Sequence, residues 1–102
     1  MKKTIISVVG QDTVGIIARV CTYLAENNIN ILDISQTIID GYFNMMMITD
    51  TSRSEKKLDQ ISAELSVLGE EIGVMIHAQH EDIFTKMHRI KLENPGKDKR
   101  KI

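Results

Sequence analysis

The dipeptide Asp40-Gly41 constrains this chain more than any other feature, because it stands between two apolar runs of different character. From Ile31 to Ile39 the pattern has period two, with Leu32, Ile34 and Ile38 on one face and Asp33, Ser35 and Thr37 on the other. Beyond the dipeptide, Phe43-Asn44-Met45-Met46-Met47-Ile48-Thr49 is apolar on both faces. Asp-Gly accepts the positive φ values of a two-residue turn, so the two runs form an antiparallel hairpin. A strand that is apolar on both faces needs cover on both, supplied by another chain or by the C-terminal segment.

The flanking segments complete the order of elements. Ile5, Ile6, Val8 and Val9 form a short β-branched run that ends at Gly10 and reads as a buried strand. After Gly10-Gln11-Asp12-Thr13, the residues Ile17, Val20, Cys21, Leu24 and Asn28 recur at helical intervals, and Asn27-Asn28 stops the helix. Ser52-Arg53-Ser54-Glu55 has capping-box spacing ahead of a second amphipathic stripe, Leu58, Ile61, Leu65 and Leu68. Val74-Met75-Ile76-His77-Ala78, after Gly73, reads as a fourth strand, and Ile83, Phe84, Met87 and Ile90 as a short C-terminal helix.

The expected fold is therefore α+β, a ferredoxin-like βαββαβ sandwich. Its four-stranded antiparallel sheet carries two helices on one face, with the short helix added at the end. Residues 1–92 form the domain, and the basic stretch after Asn94-Pro95-Gly96 leaves residues 93–102 as a disordered tail. The helices cover one face of the sheet only. Met46 and Ile48, or Met45 and Met47, must point to the other, so a homodimer is expected to cover it.

Composition narrows the function. A chain of 102 residues is one domain, able to bury about two thirds of its unfolded surface without a disulfide. Its one cysteine, Cys21, lies in an apolar stretch, which fits a buried thiol, a reducing compartment and a cytoplasmic location. The apolar run after Met1-Lys2-Lys3 is too short for a signal peptide, and no stretch approaches the ~20 apolar residues of a membrane span. A formal net charge of −1 gives no field for nucleic acid or anionic lipid. The basic run Lys97 to Lys101 is short and contains Asp98, and reads as solvated charge.

The segment most able to carry function is the loop from Gly10 to Gly15. It delivers Gly10, Gln11, Asp12 and Thr13 to the start of the first helix, where free N–H groups and the positive dipole end suit a carboxylate. Gly10 and Gly15 permit close backbone approach, Asp12 could take an ammonium group, and Asn30 offers a donor and an acceptor at the start of the second strand. The plain structural reading stands beside this one. Asp12 or Thr13 then simply caps the helix, worth ~1 kcal/mol, and Asn30 ends a turn.

Gly10-Gln11-Asp12-Thr13-Val14-Gly15-Ile16, Asn30-Ile31 and Phe43-Asn44-Met45-Met46-Met47 resemble the ACT domain pattern. The stretch from Lys3 to Ile90, ending Ile83-Phe84-Thr85-Lys86-Met87-His88-Arg89-Ile90, resembles stand-alone ACT proteins of the UPF0237 family and, more distantly, the glycine cleavage system repressor. The resemblance implies a site for amino acids or related small molecules, in this family often at a dimer interface. The matching positions are Gly10, Asp12, Gly15, Asn30 and Ile31, with Gln11 and Thr13 in the same loop. Val14 departs from the proline that many ACT domains carry there.

Other constellations carry less. His77 and His80, with His88 beyond, lie on a strand and a helix start and are not brought together as metal ligands by their spacing. Met45-Met46-Met47 alternates between faces and reads as core or interface. There is no Ser-His-Asp elbow, P-loop, dinucleotide fingerprint or HExxH motif. No cofactor or metal is expected, nor a nucleic-acid or membrane partner. The expected function is a non-enzymatic regulatory module that binds an amino-acid-like ligand and acts in trans as a homodimer, with a possible protein partner. A ligand-free interaction module is the alternative, and an enzyme acting on a small metabolite is a third.

Overall fold

The computed structural model describes residues 2–81. The elements run β1 (Lys3–Gln11), α1 (Ile16–Glu26), β2 (Asn30–Ile39), β3 (Tyr42–Asp50), α2 (Leu58–Ile72) and β4 (Val74–His80). The strands form one antiparallel sheet in the order β2-β3-β1-β4, which is the ferredoxin-like arrangement expected from the sequence. The expected C-terminal helix, residue His88 and the tail at 93–102 lie outside the described residues.

Central position explains the character of β1. It pairs with β3 along its whole length and with β4 from Thr4 to Gly10, so no backbone edge is left to water. Its even-numbered residues, Ile6 and Val8 among them, point to the helices and meet Met45, Met47, Val74 and Ile76 in a buried cluster. From above, α1 adds Ile16, Val20 and Leu24, and α2 adds Ile61 and Leu65. Spacing by four residues runs these side chains down the middle of each contact. Ile17 is thereby turned outward, and Cys21 is only half-buried, where the sequence suggested a buried thiol.

At the hairpin, Ile39 pairs with Tyr42 across a two-residue loop. Asp40 and Gly41 take φ values of 53° and 82°, as a turn matching the strand twist requires. The alternation in β3 is clean: Phe43, Met45 and Met47 are buried under the helices, while Met46 and Ile48 face the other side. Of the two settings that the sequence left open, this one leaves Met46 and Ile48 on the bare face.

The second helix begins differently from the capping-box expectation. Its N-cap is Lys57, with no side-chain capping bond, and Ser52 to Glu55 belongs to the preceding loop. The serines and their neighbour Asp50 satisfy local backbone groups instead. Asp50 Oδ1 accepts from the Ser52 N–H at 3.0 Å, and Ser54 Oγ accepts from the Lys56 N–H at 3.2 Å. The loop is bound to β1 by a buried threonine group. Thr49 Oγ1 donates to the Thr4 carbonyl at 2.8 Å, the Thr4 and Thr51 hydroxyls lie 3.2 Å apart, and the Thr51 N–H donates to the Lys2 carbonyl at 3.0 Å.

Two features of the helix layer have measurable consequences. Gly10 of β1 and Gly69 of α2 both lie against Val74: a Cβ on Gly69 would stand 2.6 Å from the Val74 carbonyl oxygen, and one on Gly10 would stand 2.8 Å from Val74 Cγ1. Side-chain rotation cannot move a backbone carbonyl. Gly69→Ala is therefore expected to cost about 1–3 kcal/mol in urea denaturation, and Gly10→Ala no more than that.

Between the helices, the Glu64 carboxylate accepts from Lys56 Nζ at 2.7 Å, the Tyr23 hydroxyl at 2.7 Å and Gln60 Nε2 at 3.1 Å. These donors, Lys56 foremost, hold the Glu64 carboxyl down at about 2. Burial, reinforced by the bond to Glu64, pushes the Tyr23 hydroxyl well above its ordinary range. Because the Glu64 pKa is lowered on folding, its stabilisation is complete above the ordinary value of 4.5 and disappears as pH falls toward 2. Melting temperature should thus fall less steeply over that interval in Glu64→Gln than in the unaltered chain.

Candidate functional site

The loop from β1 to α1 joins Gln11 to Ile16. Gly15 is the N-cap of α1 at φ 92°, a left-handed conformation that favours glycine, and no side chain caps the helix. Asp12 and Thr13 are exposed and neither is the cap, so the plain structural role considered for them is not the one they play. The N–H of Asp12 donates to the Gly41 carbonyl at 3.0 Å, tying the loop to the hairpin turn. The first-turn N–H groups of α1 are left to solvent or to a ligand. Gln11 is the last residue of β1, paired with Tyr42. Gly10 owes its lack of a side chain to the close approach of Val74.

Asn30 and Ile31 are elsewhere. Asn30 pairs with Asp50, and Asp50 with Lys3, which puts the start of β2 level with the start of β1. The Gly10 to Gly15 loop is at the other end of that strand, about 23 Å away by strand rise. The sequence reading had Asn30 beside the loop. The structure separates them because β1 and β2 run parallel with α1 crossing back between them, so their starts share one end of the sheet. Ile31 is half-buried against the core, which leaves Asn30 as the exposed residue of the pair.

A cleft of about 440 Å³ opens at the Asn30 end, lined among the described residues by Asn28, Ile29, Asn30, Asp50 and Arg53. The sequence reading missed Asp50 and Arg53, and took Asn28 only as a helix stop. Asn28 does end the helix, at φ 58°, and the turn it makes aligns it with the cleft. The Ser52 N–H bond holds the Asp50 carboxyl below the usual carboxylate range, so it is anionic at neutral pH.

Two apolar surfaces remain among the described residues. β2 is an edge strand that neither helix covers: Ile34 and Ile38, on the helix side of the sheet opposite Met47 and Phe43, are 44% and 54% exposed. Leu32 falls within a register irregularity between Ile31 and Asp33. The bare face of the sheet carries Val9, Met46, Ile48 and Met75, interrupted by Ser7, Asn44, His77 and Gln79. His77 is on that face and His80 on the helix side, so the two rings diverge. No helix among the described residues is long and apolar enough to cross a membrane.

Comparison with known proteins places these features in a family. Residues 2–79 match the model of the ACT domain. A UPF0237 protein of Bifidobacterium longum is 66% identical over 90 residues, covering 88% of this chain and all of that protein. Among solved structures, an ACT domain protein from Streptococcus pneumoniae superposes with a TM-score of 0.73 at 38% identity, over 81% of this chain and 93% of its own. A protein described as a glycine cleavage system transcriptional repressor shares the fold, with a TM-score of 0.66 at 20% identity over 78% of this chain and 45% of its own. ACT and UPF0237 domains are non-catalytic regulatory modules, which supports a regulatory, small-molecule-sensing role in general. With a family model spanning nearly all the described residues and a relative matched over its entire length, the chain belongs to the ACT domain proteins of the UPF0237 family.

Proposed function

We propose that this protein is a homodimeric sensor that binds an amino-acid-like ligand between the Gly10 to Gly15 loop of one copy and the Asn30 end of another, and acts in trans on a protein partner. The observation that carries the reading is the uncapped start of α1, where Gly15 at φ 92° leaves backbone donors open beside the exposed carboxylate of Asp12. A ligand carboxylate suits those donors and the helix dipole, and a ligand ammonium suits Asp12.

The separation of Asn30 from the loop supports the dimer. In a single copy the two half-sites are at opposite ends of the sheet. Antiparallel pairing of two β2 edges sets the start of one strand beside the end of the other, and the end of β2 adjoins the Gly41 carbonyl to which the loop is bound. Each Asn30 would then approach the loop of the second copy. Pairing would also satisfy the open backbone edge of β2 and draw Ile34 and Ile38 out of water. The bare sheet face, the surface first expected to dimerise, is a weaker candidate because polar side chains break up its apolar residues. Occupancy of a site shared between copies would alter the dimer by differential affinity for its states, and with it the contact with a partner.

Two experiments test this reading. A thermal-shift panel of amino acids at fixed protein concentration should reveal a selective ligand, which at ~100 times its dissociation constant adds about 2.7 kcal/mol and raises the melting temperature by about 10 °C or more. Asp12→Ala should abolish that shift while leaving the ligand-free melting temperature nearly unchanged, since Asp12 makes no capping bond. Absence of any shift across the panel would favour the ligand-free interaction module instead. In sedimentation velocity, Ile34→Glu should yield monomers and Met46→Glu should remain dimeric; the reverse result would move the interface to the sheet face.

A further inference from the structure

The cleft at the Asn30 end combines features that the loop at the other end does not. Its volume, about 440 Å³, falls within the range of small-molecule sites, and among the described residues its walls offer one cation, one anion and two side-chain amides. Arg53 and Asp50 line the same cleft without pairing with each other; the ion pairs among the described residues, Arg19–Glu71 and Lys56–Glu64, lie outside it. Opposite charges on one small cleft that are not paired with each other suit a dipolar guest.

Both walls are held before any ligand arrives. On one side, the Asn28 N–H donates to the Ala25 carbonyl at 3.2 Å and the Ile29 N–H to the Leu24 carbonyl at 2.9 Å, so the turn carrying the asparagines is closed onto the end of α1. On the other, Asp50 is fixed by the Ser52 N–H at 3.0 Å, Thr51 by the Lys2 carbonyl at 3.0 Å, and the Ser54 N–H closes the turn around Arg53 onto the Thr51 carbonyl at 3.1 Å. The backbone of the loop is thereby preorganised, which reduces the entropy lost on binding.

We propose that Arg53 and Asp50 are the specificity-determining residues of the amino-acid site: the Arg53 guanidinium joins the open N–H groups of α1 of the second copy on the ligand carboxylate, Asp50 joins Asp12 of that copy on the α-ammonium group, and the Asn28 and Asn30 amides hold the ligand between them. The assignment rests on the reading of this protein as a sensor of amino-acid-like ligands, and adds a second pair of charges to the groups of the Gly10 to Gly15 loop. A guanidinium presents two parallel N–H donors to a carboxylate, geometry that an ammonium cannot reproduce. A carboxylic acid without the amine would bring its negative charge near Asp50 with nothing to offset the repulsion. The cleft should therefore reject plain carboxylates by leaving Asp50 without its cation.

Calorimetric titration of the full chain tests this, using each of the twenty α-amino acids and, for those that bind, the corresponding acid without the amino group, such as propionate for alanine. The unaltered protein should bind the amino acid at least about tenfold more tightly than its des-amino counterpart. Arg53→Gln should weaken amino-acid binding by about tenfold to a hundredfold, with Arg53→Lys intermediate. Asp50→Asn retains the oxygen that accepts from the Ser52 N–H, so it should lower the melting temperature only slightly and weaken the preference for the amine. Unchanged affinity in Arg53→Gln, with affinity lost in Asp12→Ala, would overturn the assignment while leaving the sensor reading intact. A preference for the amine that Asp50→Asn leaves undiminished would overturn the role given to Asp50. If no amino acid binds the unaltered chain, both the assignment and the sensor reading fall.

Discussion

The structure depends on the pairing of β1 along both of its edges. A strand in the middle of a sheet has every backbone group satisfied by its neighbours, and Ile6 and Val8 can then be fully buried without stranding a polar group. The remaining core is arranged around these two side chains. β3 contributes Met45 and Met47 at the adjacent register positions, β4 contributes Ile76, and the helices close the layer with Val20, Leu24, Ile61 and Leu65. The close approach of Gly69 to the Val74 carbonyl draws α2 onto β4 at its C-terminal end. Toward its start, α2 is linked to α1 through Glu64 and Tyr23.

Central burial of β1 also decides where function can be placed. Both ends of the strand emerge at the rims of the sheet, and each rim carries a different chemistry. At the C-terminal rim, the chain turns through Asp12 and Gly15 into a helix whose first donors are open. At the N-terminal rim, buried threonines bind the β3–α2 loop to β1 and thereby position Arg53 and Asp50 beside Asn28 and Asn30. A buried polar cluster is a costly way to join two segments unless its hydroxyls are satisfied, and here Thr4, Thr49 and Thr51 satisfy one another and the backbone. The reward is a loop of defined shape at the mouth of the cleft.

The edge strand β2 is the counterpart of this order. Among the described residues it pairs only with β3, its side chains from Leu32 onward are exposed, and a register irregularity interrupts its start. Long exposed edges with apolar side chains are usually blunted by charge or covered by another chain. On β2 the charged residue is Asp33, near the irregular end, and the stretch from Ile34 to Ile39 carries no charge. The same strand links the two rims when a second copy pairs with it, so the least satisfied element of the fold is the one on which the proposed assembly turns.

The succession of strands and helices, the Asp40-Gly41 hairpin and the buried stripes were legible in the sequence, because each is set by local periodicity or by the backbone freedom of one or two residues. The open start of α1 was legible for the same reason, since Gly15 and the polar residues before it are contiguous in the chain. The distance between that loop and Asn30 was not, because it follows from the direction in which β2 runs through the sheet and not from the sequence near either residue. Likewise Ser52 to Glu55 has the spacing of a helix cap, but the bonds from Asp50 and to β1 hold it as a loop and delay the helix to Leu58. Arg53 meets Asn28 and Asn30 only across the folded sheet. Local pattern determined the elements; long-range pairing alone decided which of their ends came together, because register and strand direction are properties of partners far apart in the chain.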